Sequence, residues 1–171
     1  MRGDLIAQLA AYEVIVAEGC DGTGKTTLAA ALARRHGYEV LHSGRTPDGT
    51  DLAERYQALL AIPGKIILDR SFISEMVYGP LDHGRSRLTL PDTASLARRV
   101  AARGGVLVHL TGRPGIIAAR LRTRDGPAAP AAGRIRAIID AYHETFALLD
   151  GTARIITVDT APGHWDPPAR P

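Results

Sequence analysis

Residues 18–27 (EGCDGTGKTT) concentrate the chemistry of this chain. Gly19, four intervening residues, then Gly24, Lys25 and Thr26 have the spacing of a phosphate-binding loop. Glycines such as Gly19, Gly22 and Gly24 admit positive φ, so successive backbone N–H groups can face one concavity and hold phosphate oxygens. Lys25 brings a positive charge to the β- and γ-phosphates, and the Thr26 hydroxyl can ligate the Mg²⁺ that bridges them. Asp21, Thr23 and Thr27 complete the loop's candidate nucleotide contacts. The helix that follows adds a dipole favouring the same anion. These residues predict a nucleoside triphosphate site.

Two strand ends extend that chemistry. Asp69 closes the apolar run KIIL, and an acid so placed commonly orders Mg²⁺ opposite the loop threonine. It could equally cap the next helix. Arg70 comes next, and Arg45 lies in the HSGRTP segment just past YEVLH. A guanidinium fork matches phosphate oxygens bidentately, so two arginines at strand ends point to a second phosphate site, belonging to an acceptor. The alternative is solvated surface arginines in an Arg-rich chain.

Such residues need a frame. Residues 12–17 (YEVIVA) suit a buried parallel strand, and 27–36 read as a helix, giving strand, glycine loop and helix in order. Residues 38–42, 65–68, 106–110 and 154–158 suit four more strands. Helices are expected over 5–10, 51–61, 71–78, 92–103 with Asp92 as cap, 114–124 with Pro114 in its first turn, and 134–150. Residues 79–91 read as a loop and 126–133 (GPAAPAAG) as a mobile linker. Strands alternating with helices predict an α/β fold, a five-stranded parallel sheet sandwiched by helices, with ligands at the carboxyl ends of the strands. A single domain over 1–160 is expected, with a short lid at about 124–134 and a loosely ordered Pro-rich tail over 161–171.

Composition narrows the partners. The chain has 171 residues, 21 basic and 18 acidic, without a Lys/Arg cluster of the kind that marks a nucleic-acid surface. Only Lys25 and Lys65 are lysines. Without an Asn-Lys-x-Asp segment, a guanine-reading switch is disfavoured. Cys20 has no internal disulfide partner, and it sits where a helix terminus could lower its pKa, although a variable-position filler reads as well. No signal peptide or membrane span is visible, so a soluble cytoplasmic protein is expected.

EGCDGTGKTT together with ILDRS resembles the thymidylate kinase family of P-loop nucleoside monophosphate kinases. That family pairs a Glu-Gly-x-Asp-Gly-x-Gly-Lys-[Ser/Thr]-Thr loop with an Asp-Arg-Tyr strand end. The resemblance implies ATP as donor, Mg²⁺, a nucleotide acceptor and a homodimer, with residues 71–78 or the next helix as interface. It places Asp21 near the acceptor's sugar 3′-hydroxyl, Arg70 and Arg45 on the acceptor phosphate, and Ser74 and Tyr78 in the nucleoside pocket. Arg120 and Arg124 match paired arginines before the lid that contact ATP, and Tyr142 matches an aromatic after it.

Some family members carry an arginine inside the loop, where this chain has Gly22 and Thr23. The catalytic set expected is therefore Lys25, Asp69, Arg70 and an arginine from the lid, Arg124 first, with Arg134 and Arg136 as alternatives. Ser71 replaces the family's aromatic after Asp-Arg, and no counterpart of its base-reading Phe and Arg stands at the usual distance before Asp69. The leading expectation is phosphoryl transfer from ATP to a deoxynucleoside monophosphate, thymidylate or a related pyrimidine. The rival is a deoxynucleoside kinase, whose hydroxyl acceptor needs a carboxylate base; Glu18, Asp21 and Glu75 are the candidates.

Overall fold

The computed structural model describes residues 5–44 and 46–161. Arg45 and the Pro-rich tail beyond Ala161 lie outside the described residues. Five strands, β1 (Val14–Glu18), β2 (Glu39–His42), β3 (Ile66–Asp69), β4 (Val106–Thr111) and β5 (Ile155–Asp159), form one parallel sheet in the order β2-β3-β1-β4-β5. The three central strands are almost wholly buried, which is why each reads as a continuous apolar run. The edge strands are only partly covered.

Alternating side chains of each central strand enter two separate cores. Ile15, Ala17, Ile67, Val106 and Val108 pack with α1 (Leu5–Leu9) and α2 (Lys25–His36). Val14, Val16, Ile66, Leu68 and Leu107 pack on the other face with α3 (Leu52–Leu60), α4 (Phe72–His83), α5 (Leu90–Ala102), α6 (Pro114–Asp125) and α7 (Ala132–Leu148). This is the helix-sheet-helix sandwich that the alternation of elements predicts. All five strands point the same way, so their carboxyl ends lie along one rim.

Three segments differ from the sequence reading. The helix expected to stop at Tyr78 runs on to His83 and carries Pro80 inside it. Gly79 permits this, because a Cβ there would stand 2.8 Å from the Arg85 carbonyl oxygen, so the returning chain can lie against the helix. The next helix starts at Leu90, not Asp92. Thr89 is its N-cap, and Asp92 is the third helical residue, its carboxylate reaching back to the Thr89 N–H to complete a capping box. Finally, the linker expected over 126–133 is mostly regular: a 3₁₀ turn spans Gly126–Ala128, and only residues 129–131 separate it from α7.

Candidate functional site

The loop after β1 has the geometry of a phosphate cradle. Gly19 has φ +149°, and a Cβ there would come within 2.0 Å of the Leu110 carbonyl oxygen, so no other residue fits. Gly24 has φ +92° and is the N-cap of α2, which places the first N–H groups of that helix at the loop. Thr23 closes the turn between them, its hydroxyl donating to the Cys20 carbonyl at 2.7 Å. Gly22 faces the buried Leu121 side chain. The buried Lys25 ammonium lies along the loop and donates to the carbonyls of Gly19 (2.6 Å) and Cys20 (3.0 Å), with Asp21 Oδ1 at 3.5 Å. Burial lowers the Lys25 pKa, an effect that the Asp21 carboxylate opposes. Burial likewise pushes the Cys20 thiol up to about 11, against the sequence reading of a helix terminus lowering it.

The fit for a divalent cation rests on two facing groups. Thr26 Oγ1 donates to Asp69 Oδ2 at 3.0 Å, and His42 Nδ1 lies 3.2 Å from the same oxygen. Ser71 rather than Asp69 is the N-cap of α4, so the helix-cap alternative for Asp69 does not hold. No group of three His, Cys, Asp or Glu among the described residues could hold a metal ion unaided. A hydroxyl and one carboxylate suit Mg²⁺, which keeps several waters and takes other ligands from phosphates.

At the end of β3, against the loop, stands Arg70. It has φ +67°, the one positive φ outside glycine among the described residues. Its guanidinium pairs with Asp21 Oδ1 and lies 6.0 Å from the centroid of the Tyr78 ring. One oxygen of Asp21 thus faces a cation from the loop and a cation from the β3 end. Tyr78 meets Tyr142 edge-on at 6.2 Å. Ser74 is engaged internally, donating to Glu18 Oε2 at 2.7 Å with the Tyr142 hydroxyl 3.1 Å away.

The arginines near the expected lid separate into different environments. Arg120 donates to the Thr160 carbonyl at 2.5 Å and to the Gly22 carbonyl at 3.4 Å, which ties the end of β5 to the phosphate loop. Arg124 forms a forked pair with its neighbour Asp125 and is half exposed. Arg134 pairs with Asp82 on α4, and Arg136 is exposed. Thr27 is partly buried in the first turn of α2. The structure brings together Lys25, Thr26, Asp69, Asp21 and Arg70; Arg124 and Arg134 are held by other partners.

Sequence reasoning missed two clusters. Glu18, considered only as a base, is fully buried and bonded to Ser71, Ser74 and Tyr142. Glu75 pairs with Arg87, which also donates to the carbonyls of Thr46 and Pro47 and so braces the segment that follows β2. The Arg87 contacts are 12 and about 40 positions away in sequence, so no local pattern could signal them.

No protein-family model matches the chain, and no curated protein sequence matches it. Solved structures do. The YorR protein from Bacillus subtilis, solved in complex with phosphorylated GDP, is similar with a TM-score of 0.76 and 25% identity over 86% of this chain and 85% of that one. Deoxyadenosine kinase from M. mycoides with bound dCTP gives 0.56 at 16% identity, over 86% and 90% of the two chains. Shikimate kinase from Acinetobacter baumannii in complex with shikimate gives 0.55 at 17%, over 93% and 89%. The latter two speak to fold alone: this chain has the fold of the P-loop kinases.

Proposed function

We propose that the protein transfers the γ-phosphoryl group of ATP, with Mg²⁺, to a deoxynucleoside monophosphate, thymidylate or a related pyrimidine nucleotide. The observation that carries this reading is the shared carboxylate of Asp21, which faces Lys25 from the loop and Arg70 from the β3 end. Two cations converging on one carboxylate, one from the loop and one from the adjacent strand end, fit two anions, the donor's phosphates and an acceptor's phosphate. Gly19, Gly22, Thr23, Gly24, Lys25 and Thr27 would hold the donor, Thr26 and Asp69 the metal ion, and Arg120 and Arg124 the outer part of the nucleotide. Mg²⁺, held by Thr26 and Asp69, would neutralise negative charge on the donor's phosphates. Arg70 with Arg45 would grip the acceptor phosphate, beside Asp21, Ser74 and Tyr78. Lid closure over 124–134 would bring Arg124 inward.

An acceptor phosphate is already anionic and needs no base, which fits the state of the carboxylates. Glu18 is sealed in the interior, Glu75 is paired with Arg87, and Asp69 faces Thr26. The nucleotide in the YorR complex supports a nucleotide at this site as well. Incubation with ATP, Mg²⁺ and a panel of nucleosides and nucleoside monophosphates tests the reading, with turnover expected only on monophosphates. In the same assay Arg70→Ala should raise the acceptor KM by at least about tenfold, the loss of one charge-assisted phosphate contact, with the ATP KM little changed. An unchanged acceptor KM removes the acceptor assignment.

A deoxynucleoside acceptor is the second reading. It is favoured by the partial exposure of Asp21, the residue such a reaction would use as base. Turnover on thymidine that vanishes in Asp21→Asn would favour it.

A further inference from the structure

We propose that Glu18 is the positioning residue for Arg70: its buried carboxylate grips the first turn of α4 and so fixes the backbone from which Arg70 faces the cleft. This rests on the reading of Arg70 as the grip on the acceptor phosphate. Glu18 is the last residue of β1, next to the phosphate loop, and has no exposed surface. Its Oε1 accepts the Ser71 N–H, the Ser71 hydroxyl at 2.9 Å and the Ser74 N–H at 3.3 Å. Its Oε2 accepts the Ser74 hydroxyl at 2.7 Å and the Tyr142 hydroxyl at 3.0 Å. Burial pushes the Tyr142 phenol well above its usual range, so it stays a donor.

Two consequences follow from this geometry. Ser71 makes no side-chain cap bond to its own helix, and the N–H groups of Ser71 and Ser74 go to Glu18 instead. The start of α4 is therefore filled by a carboxylate of the protein, and an acceptor phosphate must be held by guanidinium groups. Second, Arg70 is pinned between two anchored neighbours. Asp69 is registered with Ala17 in the sheet, and Ser71 is bonded twice to Glu18. Between them Arg70 takes a left-handed backbone, its N–H 3.4 Å from the Ala17 carbonyl. A non-glycine residue stays in that region only where its surroundings over-determine it. From this backbone the guanidinium turns to Asp21 and Tyr78.

Ser71→Ala removes one of the two bonds that hold the turn without touching the loop. It should raise the acceptor KM between about ten- and a hundredfold, the penalty of a misplaced positioning group, with the ATP KM unchanged. In an Arg70→Ala background it should change the acceptor KM no further. Equal loss of both substrates, or an effect that multiplies that of Arg70→Ala, overturns the proposal. A second arm needs no acceptor. Urea midpoints of Asp21→Asn, Arg70→Ala and the double variant should be non-additive when Ser71 is present and additive in Ser71→Ala. Non-additivity that survives in Ser71→Ala, or additivity in both backgrounds, overturns it too. Because this arm reads only the Arg70–Asp21 contact, it stands even where Arg70→Ala leaves the acceptor KM unchanged, which would remove the acceptor reading alone.

Discussion

At the scale of single residues, the phosphate loop tolerates very different substitutions at its glycines. Gly19 combines φ +149° with a backbone oxygen where a Cβ would go, and neither can yield without moving β4. Gly22 has φ +82°, but the nearest atoms are Cγ and Cδ2 of the buried Leu121 side chain at 3.1 and 3.3 Å, which need give by only a few tenths of an ångström. Gly19→Ala should therefore destabilise the protein by about 3 kcal/mol or more and abolish nucleotide binding. Gly22→Ala should cost about 1 kcal/mol, the strain of a left-handed alanine, and keep the fold. Urea denaturation of the two variants checks the difference; equal costs would mean that β4 gives way.

At the scale of elements, β4 and α7 meet through a buried imidazole. His109 is 3% exposed and stacks on Phe146 at 4.3 Å with a 12° interplanar angle, while His143 stands edge-on at 4.9 Å. Burial, aided by the nearby His143, lowers the His109 pKa from its ordinary 6.5 to about 4. The folded state thus holds a neutral ring where the unfolded chain binds a proton. Its contribution is fully present above pH 6.5 and is lost as the pH falls from there to about 4. The shift corresponds to a loss on the order of 3 kcal/mol at most. His109→Phe keeps the stack and removes the titration. Thermal melts between pH 7 and 4.5 should show a smaller drop in Tm for the variant than for the parent chain, and equal drops would place the acid sensitivity elsewhere.

At the scale of the whole molecule, the sheet order β2-β3-β1-β4-β5 sets the loop after β1 beside the end of β3. Residues 43 positions apart in sequence, Thr26 and Asp69, meet there at 3.0 Å. Such sites are built for ligands, and the free protein bears the burial of Lys25 as a cost. Lys25→Met should leave the Tm of the free protein unchanged or higher. The parent chain at an ATP·Mg²⁺ concentration about 100 times its Kd should gain roughly 2.7 kcal/mol of stability, and the variant at the same concentration little or none. Thermal shift with and without nucleotide measures both, and a variant that melts lower without nucleotide contradicts the cost assigned to the buried ammonium.

The fold and the loop were legible because their signals are local. Buried parallel strands read as near-continuous apolar runs, so VIVA, IIL and VLVHL announce themselves, and the glycine-lysine-threonine spacing follows from backbone geometry within ten residues. The cap of α5 was misplaced at Asp92, although Thr-x-x-Asp over 89–92 is itself a capping-box signal that puts the start at Thr89. The span of α4 was not legible, because Gly79 and Pro80 look like a stop until the chain at Arg85 is seen to need the missing Cβ. Glu18 shows the division most clearly. Its type admits a base, a metal ligand or a buried anchor, and the choice depends on Ser71, Ser74 and Tyr142, which lie 53 to 124 residues away. The residues alone determined a phosphate cradle on a parallel sheet, since backbone conformation and burial are written locally. Which carboxylates are sealed, which are paired and which face the cleft was decided only by tertiary packing, because desolvation and hydrogen-bond partners belong to the folded chain.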